Sequence, residues 1–383
     1  MRALLDRRRF LISTSAAAAV PLAVAVAPAS AASAPLSAPA AVPTAAAHLA
    51  ATPPLVRLSA NENPYGPGPA ARAAIASAAL EACRYDSGDM QRLIEAIAAY
   101  EKVDKDRIAL GAGSGELLHN LAFSYCERGQ LVCAWPTFGQ IMAFAEKLGC
   151  EIRKVPLDAN LRHDLPALSA AITPNSSLLY ICNPNNPTGT AVDGPSLRDF
   201  CAKQAAQTLV VVDEAYLDLV DEGATESMVD LVRSGANVVV LRTFSKIHGL
   251  AGLRVGYALA RPDVAAKLRR NQLTFPSIVG LRAACASMGD AGFLARTRAA
   301  LIADRQRFGE ACKSLGLRYA APQGNFVFVQ VGMPVDEFRK RMRAQSVEVG
   351  RAFDLYSDWC RITIGTNSDT TTCINALRAA LKT

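Results

Sequence analysis

Lys246 sits in "RTFSKIHGLAGLR" (242–254), just past the apolar run "NVVVL", with Arg254 eight residues further on and Gly249 and Gly252 between them. An amine at the end of a buried strand is either a stray cation on a solvated loop or a nucleophile whose pKa burial can lower. Asp213 closes a second apolar run, "VVVDEAY", where a carboxylate is costly unless a cation faces it. Tyr216 follows three residues later and can point into the same crevice. "GAGSGE" (111–116) joins a strand pattern to a helix start, where free backbone N–H groups and the helix dipole favour a phosphate. No Gly-Lys-Ser/Thr follows it, so it is not a P-loop. "NPNNPTG" (183–189) is a rigid, non-helical loop whose Asn amides offer fixed donors.

These groups together match the needs of pyridoxal phosphate, which requires a lysine Schiff base, an acid facing the pyridinium nitrogen and a phosphate cup. On this reading Lys246 forms the Schiff base and then moves the substrate's α-proton. Asp213 keeps the ring nitrogen protonated, so the ring can accept electrons. Ser245 and Arg254 hold the phosphate at the turn made by Gly113, Ser114 and Gly115.

The elements must bring these residues to one edge. "RIALGAGSG" reads as a strand and turn, "ELLHNLAFSYC" as a helix, "QLVCAWP" as a strand, "TFGQIMAFAEKLG" as a helix and "EIRKVPL" as a strand. A strand and loop, "SSLLYICNPNNPTG", precede the helix "PSLRDFCAKQAAQ" and the strands "TLVVVDEAY", "NVVVLRTFSK" and "RVGYALA". Such alternation with continuous Val/Leu/Ile runs predicts an α/β fold whose mainly parallel sheet is covered by helices. Ligands in these sheets sit beyond the carboxyl ends of the strands, where Asp213 and Lys246 fall. The expected large domain spans 85–280. A smaller α+β domain combines 55–84 with 281–383; "NFVFVQV" and "CRITIGT" read there as strands, "DEFRKRMRAQ" and "TCINALRAAL" as helices.

At 383 residues the chain is long enough for two domains with substantial cores. Its formal net charge of +7 is spread thinly, without a basic stripe interleaved with aromatics, which argues against nucleic acid as a partner. The ten cysteines form no CxxC pairs and the four histidines stand apart, so no metal site is expected. Residues 1–32 have a basic head, an apolar run and small-residue cleavage options such as Ala29-Ser30-Ala31, the layout of a secretory signal. "RRRFL" (7–11) is similar to the twin-arginine export motif. Pro21 and Pro28 break the apolar run and weigh against a stable membrane span, and 33–54 is a Pro/Ala linker. A cofactor-loaded protein has to cross a membrane folded, as the twin-arginine machinery allows. The expectation is a periplasmic enzyme whose cysteines stay thiols, having folded in the reducing cytoplasm. If the basic head misleads, the enzyme is cytoplasmic.

From about residue 55 onward the chain resembles fold-type I PLP-dependent aminotransferases of the histidinol-phosphate branch. The matching motifs are "LSANENPYGPGP", "GAGSGELL", "PTFGQ", "NPNNPTG", "VVVDEAY", "RTFSKIHGLAGLRVGY" and "WCRITIGT". The resemblance implies the PLP-dependent transferase fold and a homodimer. It implies that Asn186 contacts the pyridoxal hydroxyl with Tyr216 beside it, and that Phe138 stacks on the ring. Tyr85 would reach the phosphate of the cofactor in the other subunit. Arg361 would pair bidentately with the substrate's α-carboxylate, and Asn63 and Tyr65 of the first motif would contact the substrate.

Some residues depart from the branch. Phe138 stands where tyrosine is usual, so a hydroxyl is lost, and Gln140-Ile141 lacks the aromatic common there. Arg351 is the candidate phosphate-binding arginine, one residue out of register. These departures and the export signal weigh against histidinol phosphate. The expected reaction moves an amino group between an L-amino acid (or an amino-alcohol phosphate such as histidinol phosphate) and a 2-oxo acid. A decarboxylase of the threonine-phosphate type, which shares most of these motifs, and a catalytically idle PLP-binding relative are the alternatives.

Overall fold

Continuous Val/Leu runs become strands buried on both faces, and they build the sheet that carries the site. The structure, a computed structural model, describes residues 55–127 and 129–382. The signal and linker expectations for 1–54 lie outside the described residues. Along the chain come β1 (Val56–Leu58), α1 (Pro69–Ala79), α2 (Asp89–Glu101), β2 (Ile108–Gly111), α3 (Ser114–Tyr125), β3 (Gln130–Trp135) and α4 (Gln140–Lys147). Then follow β4 (Glu151–Pro156), α5 (Leu165–Ala171), β5 (Ser176–Cys182), α6 (Gly194–Gln204), β6 (Leu209–Asp213), α7 (Val229–Arg233), β7 (Val238–Thr243) and β8 (Gly256–Leu259). The remainder comprises α8 (Pro262–Arg270), α9 (Ile278–Met288), α10 (Ala291–Ser314), β9 (Phe326–Gln330), α11 (Val335–Ala344), β10 (Val347–Val349), β11 (Trp359–Thr363) and α12 (Asn367–Leu381).

Seven strands form one sheet in the order β2-β8-β7-β6-β5-β3-β4. The pairs from β4 through β3, β5 and β6 to β7 are parallel, as the β/α alternation predicts. The exception is β8, antiparallel to both β7 and β2. A parallel neighbour needs a long crossover connection. The link from β7 to β8 holds only a 3-10 turn at Ala251–Leu253, so the chain doubles back. Side chains alternate across the pleat: Val210, Val212, Val238 and Val240 enter one core, whereas Val211, Val239 and Leu241 enter the other. Helices on both faces make these strands uniformly apolar.

A further core gathers Leu58, Phe308, Phe326, Phe338, Ile362 and Leu377. It is built on the antiparallel pair β9–β11 and the parallel pair β1–β10. The segment 55–84 is shared between cores. Its strand β1 pairs with β10, while Ala71 of α1 packs into the sheet core with Leu281 and Ala284 of α9. At α12 a reciprocal Thr366–Asp369 capping box satisfies the first backbone donors, which starts this helix well before the expected "TCINALRAAL".

Candidate active site

β6 and β7 end side by side, and their ends deliver Asp213 and, three residues past β7, Lys246. Both line a cleft of about 320 Å³ together with Ser114, Gly115, Phe138, Asn186, Tyr216, Ser245, Arg254 and Arg361. Lys246 Nζ donates to the Asn61 carbonyl at 3.1 Å and lies 5.3 Å from the centre of the Tyr216 ring. Burial, then the positive charge of Arg361, lowers this amine to about 8, against an opposing pull from Asp213.

Asp213 is 2% exposed. Among the described residues the carboxylate accepts from the Tyr180 hydroxyl at 3.1 Å and the Ala215 N–H at 3.1 Å, which leaves the expected cationic partner to a ring nitrogen in the cleft. Lys246 acts on it only through its charge. Burial pushes the carboxyl up to about 6, opposed by those two donors and then by Lys246. A buried carboxylate without a bonded cation is a place for a protonated ring nitrogen.

At one end of the cleft lies a cradle at the N-terminus of α3, which has no side-chain cap. Gly113 takes φ +82°, and a Cβ there would lie 2.4 Å from Arg254 Nη2, so only glycine lets the guanidinium sit over the helix start. Arg254 Nη1 donates to Ser245 Oγ at 3.4 Å, and Thr243 holds that hydroxyl at 3.0 Å. A cation, a hydroxyl and unpaired helix N–H groups converge there, as an anion requires.

Opposite stands Arg361. Its Nη1 donates to Asn186 Oδ1 at 2.6 Å and its Nη2 to the Ser59 carbonyl at 2.8 Å, while Nε is buried without a partner among the described residues. Both acceptors are neutral, and burial lowers the guanidinium's own pKa. The Tyr216 hydroxyl accepts from Asn61 Nδ2 at 3.0 Å and from Asn186 Nδ2 at 3.5 Å, and burial pushes its pKa up.

Asn63, Tyr65, Arg351 and Tyr85 lie apart from the cleft, whereas Gly113 flanks its lining at the start of α3. Asn63 donates to the Ile247 carbonyl at 2.8 Å and braces the lysine loop. Tyr65 packs against the smaller core. Arg351 is exposed, with its guanidinium 4.9 Å from the centre of the Phe353 ring; Arg361 approaches that same ring at 5.9 Å. Tyr85 is fully exposed.

Several residues at the site escape sequence reasoning. Asn61, at φ +55°, exchanges hydrogen bonds with Thr363, Tyr216, Lys246 and Asn325. Its left-handed backbone, which asparagine tolerates, was a usable signal inside "LSANENPYG". Tyr180 reads as one more apolar strand residue until β5 is laid beside β6.

The donor set fits pyridoxal phosphate: the glycine-opened anion cradle, the buried carboxylate, the amine and the half-partnered guanidinium surround one cleft. Comparison with known proteins agrees. Residues 53–379 match the family "Aminotransferase class I and II". The chain is 39% identical over 332 residues to a histidinol-phosphate aminotransferase of Moorella thermoacetica, covering 85% of this chain and 86% of that one. It is equally 39% identical over 316 residues to an aromatic amino acid aminotransferase of Rhodococcus jostii, covering 82% and 87%. The crystal structure of histidinol-phosphate aminotransferase from Sinorhizobium meliloti in complex with pyridoxal-5'-phosphate superposes with a TM-score of 0.78 at 27% identity, covering 85% of this chain and 90% of that one. The chain is a PLP-dependent aminotransferase, a member of the class I and II aminotransferases.

Proposed function

We propose that the amino donor is an L-amino acid with a free α-carboxylate, small or aromatic in its side chain, and that a 2-oxo acid is the acceptor. Arg361 carries this reading. A half-buried guanidinium that donates only to neutral oxygens and whose buried Nε has no partner among the described residues is a receptor for a carboxylate. An amino-alcohol phosphate is disfavoured because Arg351, the candidate for a second anion contact, is exposed and donates to the Ala352 carbonyl at 3.1 Å.

When bound, pyridoxal phosphate supplies an aldehyde for the lysine and an electron-withdrawing ring. The residues of this chain do the remaining work. Lys246, lowered to about 8, keeps a neutral fraction near pH 7 that serves as nucleophile and as base at the substrate's α-hydrogen. Asp213 is ionised above about pH 6 and presents its charge at the floor of the cleft. Arg361 orients the substrate carboxylate, while Asn61 and Asn186 hold the Tyr216 hydroxyl in place. Arg254 and Ser245 would hold the cofactor's phosphate.

Two finer readings accompany this one. Tyr85 belongs to a homodimer in which it reaches the other subunit's cofactor, supported by its full exposure and by the 69% exposure of the apolar Phe275. The enzyme is exported in folded form through the segment at 1–32.

The test is a donor screen on the PLP-loaded enzyme with L-phenylalanine, L-tyrosine, L-alanine and L-histidinol phosphate, following the cofactor's absorbance. A site built around a carboxylate rejects an analogue lacking it by at least about tenfold in kcat/KM. Histidinol phosphate as the best donor would overturn the proposal, and release of CO2 would mark a decarboxylase.

A further inference from the structure

Gln140, the first residue of α4, lines the same cleft as Ser114, Gly115, Ser245 and Arg254. Gly115 is the second residue of α3, and a Cβ there would lie 2.6 Å from both Nε2 and Oε1 of Gln140. The carboxamide therefore fills the space that a side chain at residue 115 would take. On the other flank, Gly113 yields its Cβ space to Arg254. Two glycines thus open the start of α3 to a cation on one side and a carboxamide on the other.

The carboxamide is oriented. Its Nε2 lies 3.2 Å from His119 Nε2, and the His119 ring stacks on Phe144 with centroids 4.5 Å apart. Burial, then the charge of Lys147, lowers the pKa of His119 and so favours its neutral ring. A neutral imidazole with its proton on Nδ1 accepts one amide hydrogen at Nε2. The amide nitrogen carries a second hydrogen, which remains for an anion at the helix start.

We propose that Gln140 is an additional donor to the cofactor's phosphate, held in its donating orientation by His119; this rests on the reading of the cleft as a pyridoxal phosphate site. The carboxamide stabilises the phosphate and not the ring, so its effect is confined to ligands that carry phosphate.

The experiment titrates the apo-enzyme with pyridoxal phosphate and, separately, with pyridoxal, following ligand absorbance and protein fluorescence. Gln140→Leu should weaken pyridoxal phosphate by about tenfold, the range of one hydrogen bond to a charged group, and leave pyridoxal within about twofold. Gln140→Glu, which sets a negative charge against the phosphate, should weaken pyridoxal phosphate further and again spare pyridoxal, whose retained binding shows that the fold survives. His119→Phe, which keeps the stack but accepts no hydrogen bond, should give part of the loss. If both Gln140 variants bind pyridoxal phosphate as wild type does, or lose both ligands equally, the role of Gln140 is overturned while the cofactor reading stands. If the wild-type protein binds no pyridoxal phosphate, the cofactor reading itself fails.

Discussion

Asp213 and Lys246 stand at the carboxyl ends of adjacent parallel strands, in a register that pairs Asp213 with Leu241, five residues before the lysine. The carboxylate and the amine thereby face one cleft from neighbouring positions, close enough for each charge to act on the other.

Lys246→Ala should remove amino transfer while the protein stays folded, with a loss of at least about 10²–10⁴-fold from proton transfer alone. The wild-type amine has its own signature. Its pKa is lowered from 10.5 to about 8, and the neutral form is the reactive one, so the rate at which apo-enzyme captures pyridoxal phosphate should rise with pH and level off above about 8. Stopped-flow absorbance between pH 6 and 9.5 measures this. Turnover near wild type in Lys246→Ala would remove the residue from its role.

Asp213→Asn should lose most of the rate and yet stabilise the apo-enzyme at neutral pH. The folded carboxyl titrates near 6 against 3.8 ordinarily, so holding it ionised is a cost fully present above about pH 6 and gone below about pH 4. Removing it should raise apo-enzyme stability by on the order of 1–3 kcal/mol at pH 7.5, with the gain vanishing near pH 4. Urea unfolding at the two pH values is the measurement, and an equal gain at both would refute the charge argument.

Arg361→Ala should raise KM for amino acids sharply and leave cofactor absorbance intact. Truncating one partner of a buried guanidinium–carboxylate pair costs on the order of 2–5 kcal/mol. Arg361→Lys should recover only part of this, because a point charge cannot reproduce the planar fork. A change below about tenfold in kcat/KM, or about 1.4 kcal/mol, would assign the carboxylate to another residue.

Tyr85→Ala should lower affinity for pyridoxal phosphate although the side chain is fully exposed on its own subunit. Sedimentation of the wild-type enzyme should give a dimer. A fully active monomer would sink this prediction.

Replacing Arg7 and Arg8 by Lys should stop export, as followed by cell fractionation. All ten cysteines are unpaired and eight of them buried, and burial pushes thiols such as Cys133 up to about 12, which makes them poor nucleophiles. The exported protein should therefore show thiols rather than disulfides in a denaturing titration. Equal export of the double-Lys variant would contradict the twin-arginine reading, and several disulfides would indicate folding after export.

Much of the site could be read from the chain because its chemistry sits at strand ends. Lys246, Asp213, Asn186 and Arg254 each follow or interrupt an apolar run, where a polar residue has to be explained. Arg361 was legible only through the family motif "WCRITIGT", since an arginine within a short strand carries no local mark of facing a ligand. Asn63 and Tyr65 came from a motif too, and they brace the lysine loop and the smaller core instead of lining the cleft.

By itself the sequence determined the order of the elements, the mainly parallel character of the sheet and the edge at which ligands bind. Burial on both faces demands uninterrupted apolar runs, and their ends are visible in one dimension. Only the tertiary structure decided the partners. Asn61 meets Tyr216 across 155 residues and Asn186 meets Arg361 across 175, and Tyr180 finds Asp213 only because β5 lies beside β6. The doubling back of β8 was decided in the same way. Contacts of this kind arise from how cores pack and strands register, and side chains brought together from distant segments leave no periodic trace in the chain.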